Sequence, residues 1–247
     1  MFFVRLRKGS KWVFIAVIFA FAFTFLFAGV GSGGSGGDII QELLGMRGGD
    51  PVKSAENNVA KNPRDASALT GLAQAYLAKE RRGDAINTYE RLLKLKPKDE
   101  GALSQLASLQ QNVTTLRWYR YQKLQSELAV ASGPTGSDPL QTLAGTDQLL
   151  SAYASLVSTK ANSAYNSYIN AAKAWEGTYK RYAKAVPVSS TLQRAQIEFQ
   201  LAQAASSAGD YATAIKSYET YLRLTPKSPL AAQVRKVLVE LRKASGG

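Results

Sequence analysis

The residues that could do chemistry in this chain are its serines, lysines and carboxylates, because the 247-residue sequence contains no cysteine and no histidine. That absence excludes thiol nucleophiles, disulfides, imidazole bases and nearly all transition-metal sites. A Ser-Lys dyad is the nucleophile that remains, but no SxxK sequence occurs with the supporting motifs of such enzymes. We therefore expect no enzymatic activity, no metal and no cofactor.

The charge of the chain is strongly positive, with 31 Lys and Arg against 18 Asp and Glu and a formal net charge of +13. The densest basic groups are Arg81-Arg82 and the alternating Lys94, Lys96 and Lys98. Outside a cell membrane, basic faces meet anionic lipid head groups or acidic envelope polymers, which gives one possible function. We do not expect nucleic-acid binding, because the sequence contains no recognition module for it.

Residues 12–30 form an apolar run with no charged residue and with Thr24 as its polar interruption. As a helix the run spans roughly 28 Å, close to the hydrocarbon core of about 30 Å. The preceding residues 1–11 are basic and carry no acidic residue, so the positive-inside rule places them in the cytoplasm. We expect a single-pass protein of the cell inner (plasma) membrane whose remaining domain is extracytoplasmic.

A cleavable signal peptide is the alternative for this segment, with Gly29-Val30-Gly31 as its small-x-small site. The apolar run is longer than the usual signal-peptide core of about 7–15 residues, which favours a retained anchor. Residues 31–37, GSGGSGG, have the composition of a flexible tether. They lack the Lys-Ser/Thr of a phosphate-binding loop.

An internal repeat follows the tether. Lys61–Leu72 (KNPRDASALTGL) and Leu95–Leu106 (LKPKDEGALSQL) match at a spacing of 34 residues. A second match pairs Ala85, Tyr89 and Pro97 with Ala214, Tyr218 and Pro226. Fixed spacing of this kind indicates stacked units, each of which cannot bury its own apolar face alone.

At these positions the chain resembles the tetratricopeptide repeat (TPR) family, whose period is 34 residues. One unit beginning at Ala66 and another beginning at Ala195 carry the large, small, aromatic and proline positions of that family, and Gly83 stands just before the second helix of the first unit. The resemblance implies an all-α protein with a TPR-type α-solenoid. We expect N-terminal repeats over 38–131, and a C-terminal repeat with a capping helix over 188–247.

The middle of the chain matches the family motif poorly. After a predicted loop at 132–139, aromatic and apolar residues recur at spacings of three and four, as in a heptad seam. We expect long helices over 140–187, inserted between the repeats as an antiparallel hairpin. Its sides are Trp118, Tyr121, Leu124 and Leu128 on one helix and Tyr165, Tyr168, Ala172, Trp175, Tyr179, Tyr182 and Val186 on the other. The aromatic stripe is either core or a ligand site.

The resemblance also implies that a ligand lies along a concave groove lined by the first helix of each unit. The matching positions hold small or uncharged side chains, which can hydrogen-bond an extended peptide backbone or simply face solvent. They lack the charged set with which some chaperone-adaptor relatives hold a terminal carboxylate. The candidate groove residues are Ser67, Thr70, Gln74, Leu77, Ser104, Ser108, Gln111, Gln196, Phe199, Gln203 and Ser206.

These observations together predict a membrane-anchored TPR scaffold that binds a protein or peptide on the extracytoplasmic side, in envelope assembly or secretion. The alternative is a charge-driven binder of anionic envelope polymers or lipid head groups. Strong salt dependence of binding would distinguish the alternative from groove-mediated peptide recognition.

Overall fold

The computed structural model describes residues 50–131, 146–187 and 190–246, and within these ranges the chain forms helices and no strand. The all-α expectation is therefore confirmed for the described residues. From residue 55 onward the helices pack into one compact unit. In chain order the helices are α1 (Pro51–Lys61), α2 (Ala66–Ala78), α3 (Arg82–Leu95), α4 (Glu100–Ala131), α5 (Thr146–Ala185), α6 (Thr191–Ala208), α7 (Tyr211–Leu224) and α8 (Ala231–Ser245).

Aspartates begin two of the repeat helices. The Asp65 carboxylate accepts a hydrogen bond of 2.9 Å from the backbone N–H of Ser67 at the start of α2. Asp210 accepts a hydrogen bond of 3.0 Å from the backbone N–H of Thr213 at the start of α7. These side chains satisfy donors that no helical carbonyl can reach, so the chain can enter each helix directly from a short loop.

The turns inside the first and last repeats use the left-handed backbone conformation at equivalent positions. Gly209 ends α6 with a φ of 79°, and Glu80 takes a φ of 57° between α2 and α3. Gly83, placed by the sequence just before the second helix, lies inside the first turn of α3. The left-handed turn of the first repeat is therefore made by a residue with a Cβ, which pays a steric penalty that glycine avoids.

The core of the first repeat lies between α2, α3 and the start of α4. Leu69, Leu92 and Leu103 are almost completely buried there, together with Tyr89. Ala85 is also completely buried, and its small side chain leaves room for the neighbouring helix. The packing agrees with the 34-residue spacing, because the equivalent residues Leu69 and Leu103 lie in the same buried cluster.

Helices α4 and α5 form a long antiparallel pair, as predicted from the heptad spacing. The ring centroids of Trp118 and Tyr168 are 5.0 Å apart, and those of Tyr121 and Tyr165 are 5.2 Å apart. Residue numbers rise along α4 as they fall along α5, which shows the opposite helix directions. Arg117 Nη1 also donates a hydrogen bond of 2.9 Å to the Ser167 carbonyl oxygen across the pair.

The base of this pair, residues 100–114 of α4 and 171–185 of α5, differs from the expected insertion between repeats. Trp175 packs with Ala107 of α4 and Ala204 of α6 in one buried cluster. Farther along α5, Tyr182 packs against the core of the first repeat and also against Ile197 of α6. The base therefore takes the place of a repeat unit, stacked between its neighbours, and the two helices continue beyond it.

A sequence signal for this middle unit exists in the spacing of tyrosine and proline. Tyr89 precedes Pro97 by eight residues and Tyr218 precedes Pro226 by eight, in the second helices of the two recognised units. Tyr179 precedes Pro187 by the same interval. The end of α5 is thus the second helix of a unit whose first helix is the start of α4.

The last repeat consists of α6 and α7, with α8 packed on α7. Its core is made of small and aromatic residues, including Ala202, Ala214 and Tyr218, and α8 adds Val234 and Leu238. The outer face of α8 carries exposed charged residues, as a terminal helix requires for contact with water.

No helix within 50–131, 146–187 and 190–246 is long and apolar enough to cross a membrane. The predicted membrane span at 12–30 and the tether at 31–37 lie outside the described residues, as does the predicted loop at 132–139.

Candidate functional site

The candidate groove residues of α2 lie along one helix face. Ser67 and Gln74 are exposed, and Thr70 and Leu77 are half-buried. The Ser67 hydroxyl donates to the Asp65 carboxylate at the helix start, and the Thr70 hydroxyl donates to the Ala66 carbonyl oxygen at 2.9 Å. Gln74 forms no side-chain hydrogen bond with the described part of the chain. Its amide is therefore the group on this helix with both a donor and an acceptor available.

The candidate residues of α4 occupy a similar face at the base of the long pair. Ser104 and Ser108 are exposed, and Gln111 is half-buried. Their spacing of four and three residues aligns them along the helix. None of the three side chains is hydrogen-bonded to another described residue, so their hydroxyl and amide groups can bond to a ligand or to water.

The candidate residues of α6 divide between surface and core. Gln196 is exposed, whereas Gln203 and Ser206 are half-buried. The Phe199 ring lies 5.1 Å from the Tyr221 ring and 5.9 Å from the Tyr218 ring, measured between centroids. Phe199 therefore fills the space between α6 and α7. The Ser206 hydroxyl donates to the Ala202 carbonyl oxygen at 2.8 Å.

The three sets of candidate residues are not joined to one another by any hydrogen bond, ion pair or ring contact in the described ranges. Their assignment to one groove stays a prediction from the family resemblance. What the structure adds is the state of each side chain: Gln74, Ser104 and Ser108 are exposed and uncharged, while Ser67 and Phe199 are engaged by neighbours. An exposed uncharged surface of this kind can form hydrogen bonds with peptide groups.

An ionic cluster that sequence reasoning missed joins α5 to the last repeat. Lys180 Nζ lies 2.5 Å from Glu176 Oε1 on its own helix and 3.0 Å from Asp210 Oδ2 at the start of α7. Hydrogen bonds from Thr213 are the main reason that the pKa of Asp210 lies well below its usual range. Burial raises the pKa of Glu176, although the nearby Lys180 acts in the opposite direction.

A second ionic contact joins α5 to the first repeat. The Arg181 guanidinium donates two hydrogen bonds, of 2.9 and 3.1 Å, to the two carboxylate oxygens of Glu90 on α3. Paired bonds of this kind fix orientation as well as distance. Charged groups thus join the base of the long pair to both neighbouring repeats. Two adjacent residues make these contacts: Lys180 contacts the last repeat, and Arg181 contacts the first.

The geometry defines a helical-repeat protein in which successive helix pairs stack through small and aromatic residues. Comparison with protein families agrees: two family models, both described as Tetratricopeptide repeat, match the chain. One matches residues 68–103, and the other matches residues 166–229 and 199–241. The match that begins at 166 includes the end of α5, in agreement with its place in a repeat unit. No curated protein matches the chain.

The chain is therefore a tetratricopeptide repeat protein. Repeats of this family generally mediate protein or peptide binding, which places the chain among interaction scaffolds.

Proposed function

We propose that this chain is a membrane-anchored scaffold that binds an extended protein segment on the extracytoplasmic side, in envelope assembly or secretion. The observation that carries the binding proposal is the set of exposed, uncharged groups on the first helices of the repeats, above all Gln74, Ser104 and Ser108. The amide and hydroxyl groups each offer a donor and an acceptor. An extended peptide presents the complementary N–H and C=O groups along its backbone.

The chemistry of the candidate set also restricts the partner. None of its eleven members is charged, so the surface offers no fixed cation for a terminal carboxylate. Backbone recognition is tolerant of side-chain identity, because every residue of the bound segment carries the same peptide groups. A scaffold of this type suits partners that are bound in transit through or along the envelope.

The anchor and the orientation are part of the proposal. The apolar run at 12–30 and the basic residues that precede it support a cytoplasmic N-terminus. The glycine-rich stretch at 31–37 would then separate the bilayer from the repeats. In this arrangement the domain samples the space near the membrane surface, where newly exported segments emerge.

Site-specific photo-crosslinking of the full chain in intact cells tests the binding surface. A photoreactive residue at Gln74 or Ser108 should give a discrete crosslinked partner band. The matched control is Asn87, which is also exposed but lies on the second helix of the first repeat. Equal crosslinking from Asn87, or none from either groove position, would refute the groove.

The same cells provide a check of orientation and of specificity. Converted to spheroplasts, they should lose the crosslinked band when protease is added outside. Replacing Gln74 and Ser108 with arginine adds bulk and charge at exposed helix positions, where folding tolerates it. The double replacement should abolish crosslinking from Ser104 while circular dichroism stays unchanged.

A further inference from the structure

The long helix pair contains a cavity of about 340 Å³ beyond its base, lined on both helices by polar groups. From α4 it receives Arg117 and Arg120, and from α5 it receives Lys160 and Ser163. Ala164 and Ser167 complete the lining. The volume is at the lower end of the range typical of small-molecule sites.

Among the residues that the structure describes, no carboxylate forms an ion pair with the cations of this cavity. Within the described ranges, Arg120 and Lys160 form no ion pair, and Arg117 donates to a carbonyl oxygen, that of Ser167. Other cations of the chain do have carboxylate partners, as Arg181 has Glu90 and Arg242 has Glu219. The cavity thus concentrates three cationic groups that repel one another and have no carboxylate partner in the described part of the chain.

The basic turn at Lys96–Asp99 differs from this cavity in its lining and in how its charges are brought together. That turn also borders a cavity, of about 470 Å³, but Asp99 is part of its lining. Its lysines come from one short segment, whereas Arg117, Arg120 and Lys160 are brought together by the register of two helices. A site assembled from separate elements holds its charges in a defined geometry.

We propose that the cavity of Arg117, Arg120, Lys160, Ser163 and Ser167 binds a phosphate group. Guanidinium groups present paired donors that match phosphate oxygens, and the lysine adds a compact charge. The Ser163 hydroxyl can donate a further hydrogen bond. The negative charge of the phosphate would neutralise these cations, which have no carboxylate partner among the described residues. This inference does not depend on the peptide groove, because it uses neither the same residues nor the same helix faces.

The phosphate group has two possible sources, a free phosphate or a phospholipid head group. Exposed apolar residues lie one helical turn from the cationic ones: Leu116 from Arg120, and Leu156 from Lys160. A lipid would place its acyl region against such residues, whereas a free phosphate would not use them. The shared chemistry defines the site, and the experiment separates the sources.

Fluorescence of a single dye on the full chain serves as the readout in both arms. The sequence has no cysteine, so Asn162→Cys gives one labelling position, exposed and next to Ser163. In the first arm, inorganic phosphate is titrated into the protein in a nonionic detergent at constant ionic strength. In the second arm, the protein is placed in nanodiscs of phosphatidylcholine, with or without phosphatidylglycerol.

The test variant is Arg120→Gln with Lys160→Gln, and the matched control is Lys123→Gln with Lys173→Gln. Both double variants remove one exposed cation from each helix of the pair and change the net charge equally. The test variant should weaken the response at least about tenfold, since charge-assisted hydrogen bonds are lost. The control should stay within about twofold.

A response to inorganic phosphate that the test variant alone loses supports a site for the free group. A response confined to phosphatidylglycerol nanodiscs, again lost in the test variant alone, supports a lipid head group. Equal loss in both double variants would show that net charge suffices and would overturn the proposal. Absence of a response in both arms would overturn it too. Circular dichroism verifies folding, and Arg120→Lys, which keeps the charge but loses the paired donors, should be intermediate.

Discussion

The base of the long helix pair and its distal half, residues 116–131 and 148–165, are parts of the same two helices but differ in burial. At the base, Trp175 is 5% exposed and Thr178 is completely buried. In the distal half, several large apolar side chains are exposed, among them Leu116, Tyr119, Leu149, Leu150, Tyr153 and Leu156.

The number of neighbouring helices explains this difference. At the base, α5 packs on α4, contacts the first-repeat core through Tyr182, and contacts α6 through Trp175. In the distal half, the ring of Tyr121 on α4 packs against the ring of Tyr165 on α5. A helix in a two-helix layer buries one stripe and leaves the rest to solvent. The repeat neighbours therefore supply the additional burial that the base has and the distal half lacks.

The largest expected effect is that of removing the indole at the base. Trp175→Ala should lower the free energy of unfolding by about 3–5 kcal/mol, because a large side chain is lost between Ala107 and Ala204, which cannot fill the space. Urea denaturation followed by circular dichroism measures the change.

The matched substitution in the distal half is Trp118→Ala. Trp118 is 37% exposed and makes ring contacts with Tyr121 and Tyr168. Its loss should cost about 1–2 kcal/mol, from partial burial and the aromatic contacts. If the two alanine variants lose equal stability, the distinction between base and distal half is wrong.

Tryptophan at position 175 explains why the middle repeat could not be predicted from the sequence. Counted back from the proline that ends each second helix, Trp175 stands where the other units have Ala85 and Ala214. Because this position holds a bulky residue instead of alanine, the segment does not match the repeat motif. It is accommodated because the facing residues, Ala107 and Ala204, are small and completely buried. The large residue at 175 is compensated by small residues on two other helices, and the sequence of α5 alone does not reveal this.

A medium effect is expected from overfilling a helix crossing. Ala85 is completely buried, so Ala85→Leu should cost about 1–3 kcal/mol by forcing neighbouring side chains and backbone apart. The control is Ala152→Leu, at an exposed position in the distal half of α5. It should change stability by no more than about 0.5 kcal/mol.

Thermal and urea denaturation of the two leucine variants compare a stacked repeat with the solvent-facing part of the pair. A neutral Ala85→Leu would mean that the 34-residue register is shifted. A costly Ala152→Leu would instead mean that the distal half is covered as tightly as the base.

The residues of one candidate site could be predicted from the sequence, whereas those of the other could not. The exposed residues Gln74 and Ser108 follow from helical spacing once the repeat register is known, because spacing decides which face each residue shares. The cavity of Arg117 and Lys160 could not be predicted, since the two residues are far apart in the chain and meet only through the register of α4 against α5. The Lys180–Asp210 contact was missed for the same reason.

The smallest effect concerns that contact, which ties the base to the last repeat. Asp210 accepts hydrogen bonds from Thr213 at the start of α7 and from Lys180 on α5. Asp210→Ala should cost about 0.5–2 kcal/mol near pH 7 through loss of the helix cap. Asp210→Asn should cost less, because an amide oxygen can still accept from the Thr213 N–H.

The pH dependence separates the charge from the cap. The folded pKa of Asp210 is lowered from its ordinary value of 3.8, so its carboxylate stabilises the folded state above that value and the stabilisation is lost as the pH falls through the folded pKa. Glu176 has the opposite sign: its folded pKa is raised above 4.5, so its contribution is present at low pH and is lost as the pH rises through the raised value.

Asp210→Asn should therefore flatten the acid-side decline of stability below about pH 4, measured by urea denaturation at a series of pH values. Glu240→Gln, which removes an exposed carboxylate on α8, should leave that decline unchanged. An Asp210→Asn variant with the same acid-side slope as the parent would show that the carboxylate charge at this junction contributes nothing, and that the base is held to the last repeat by packing alone.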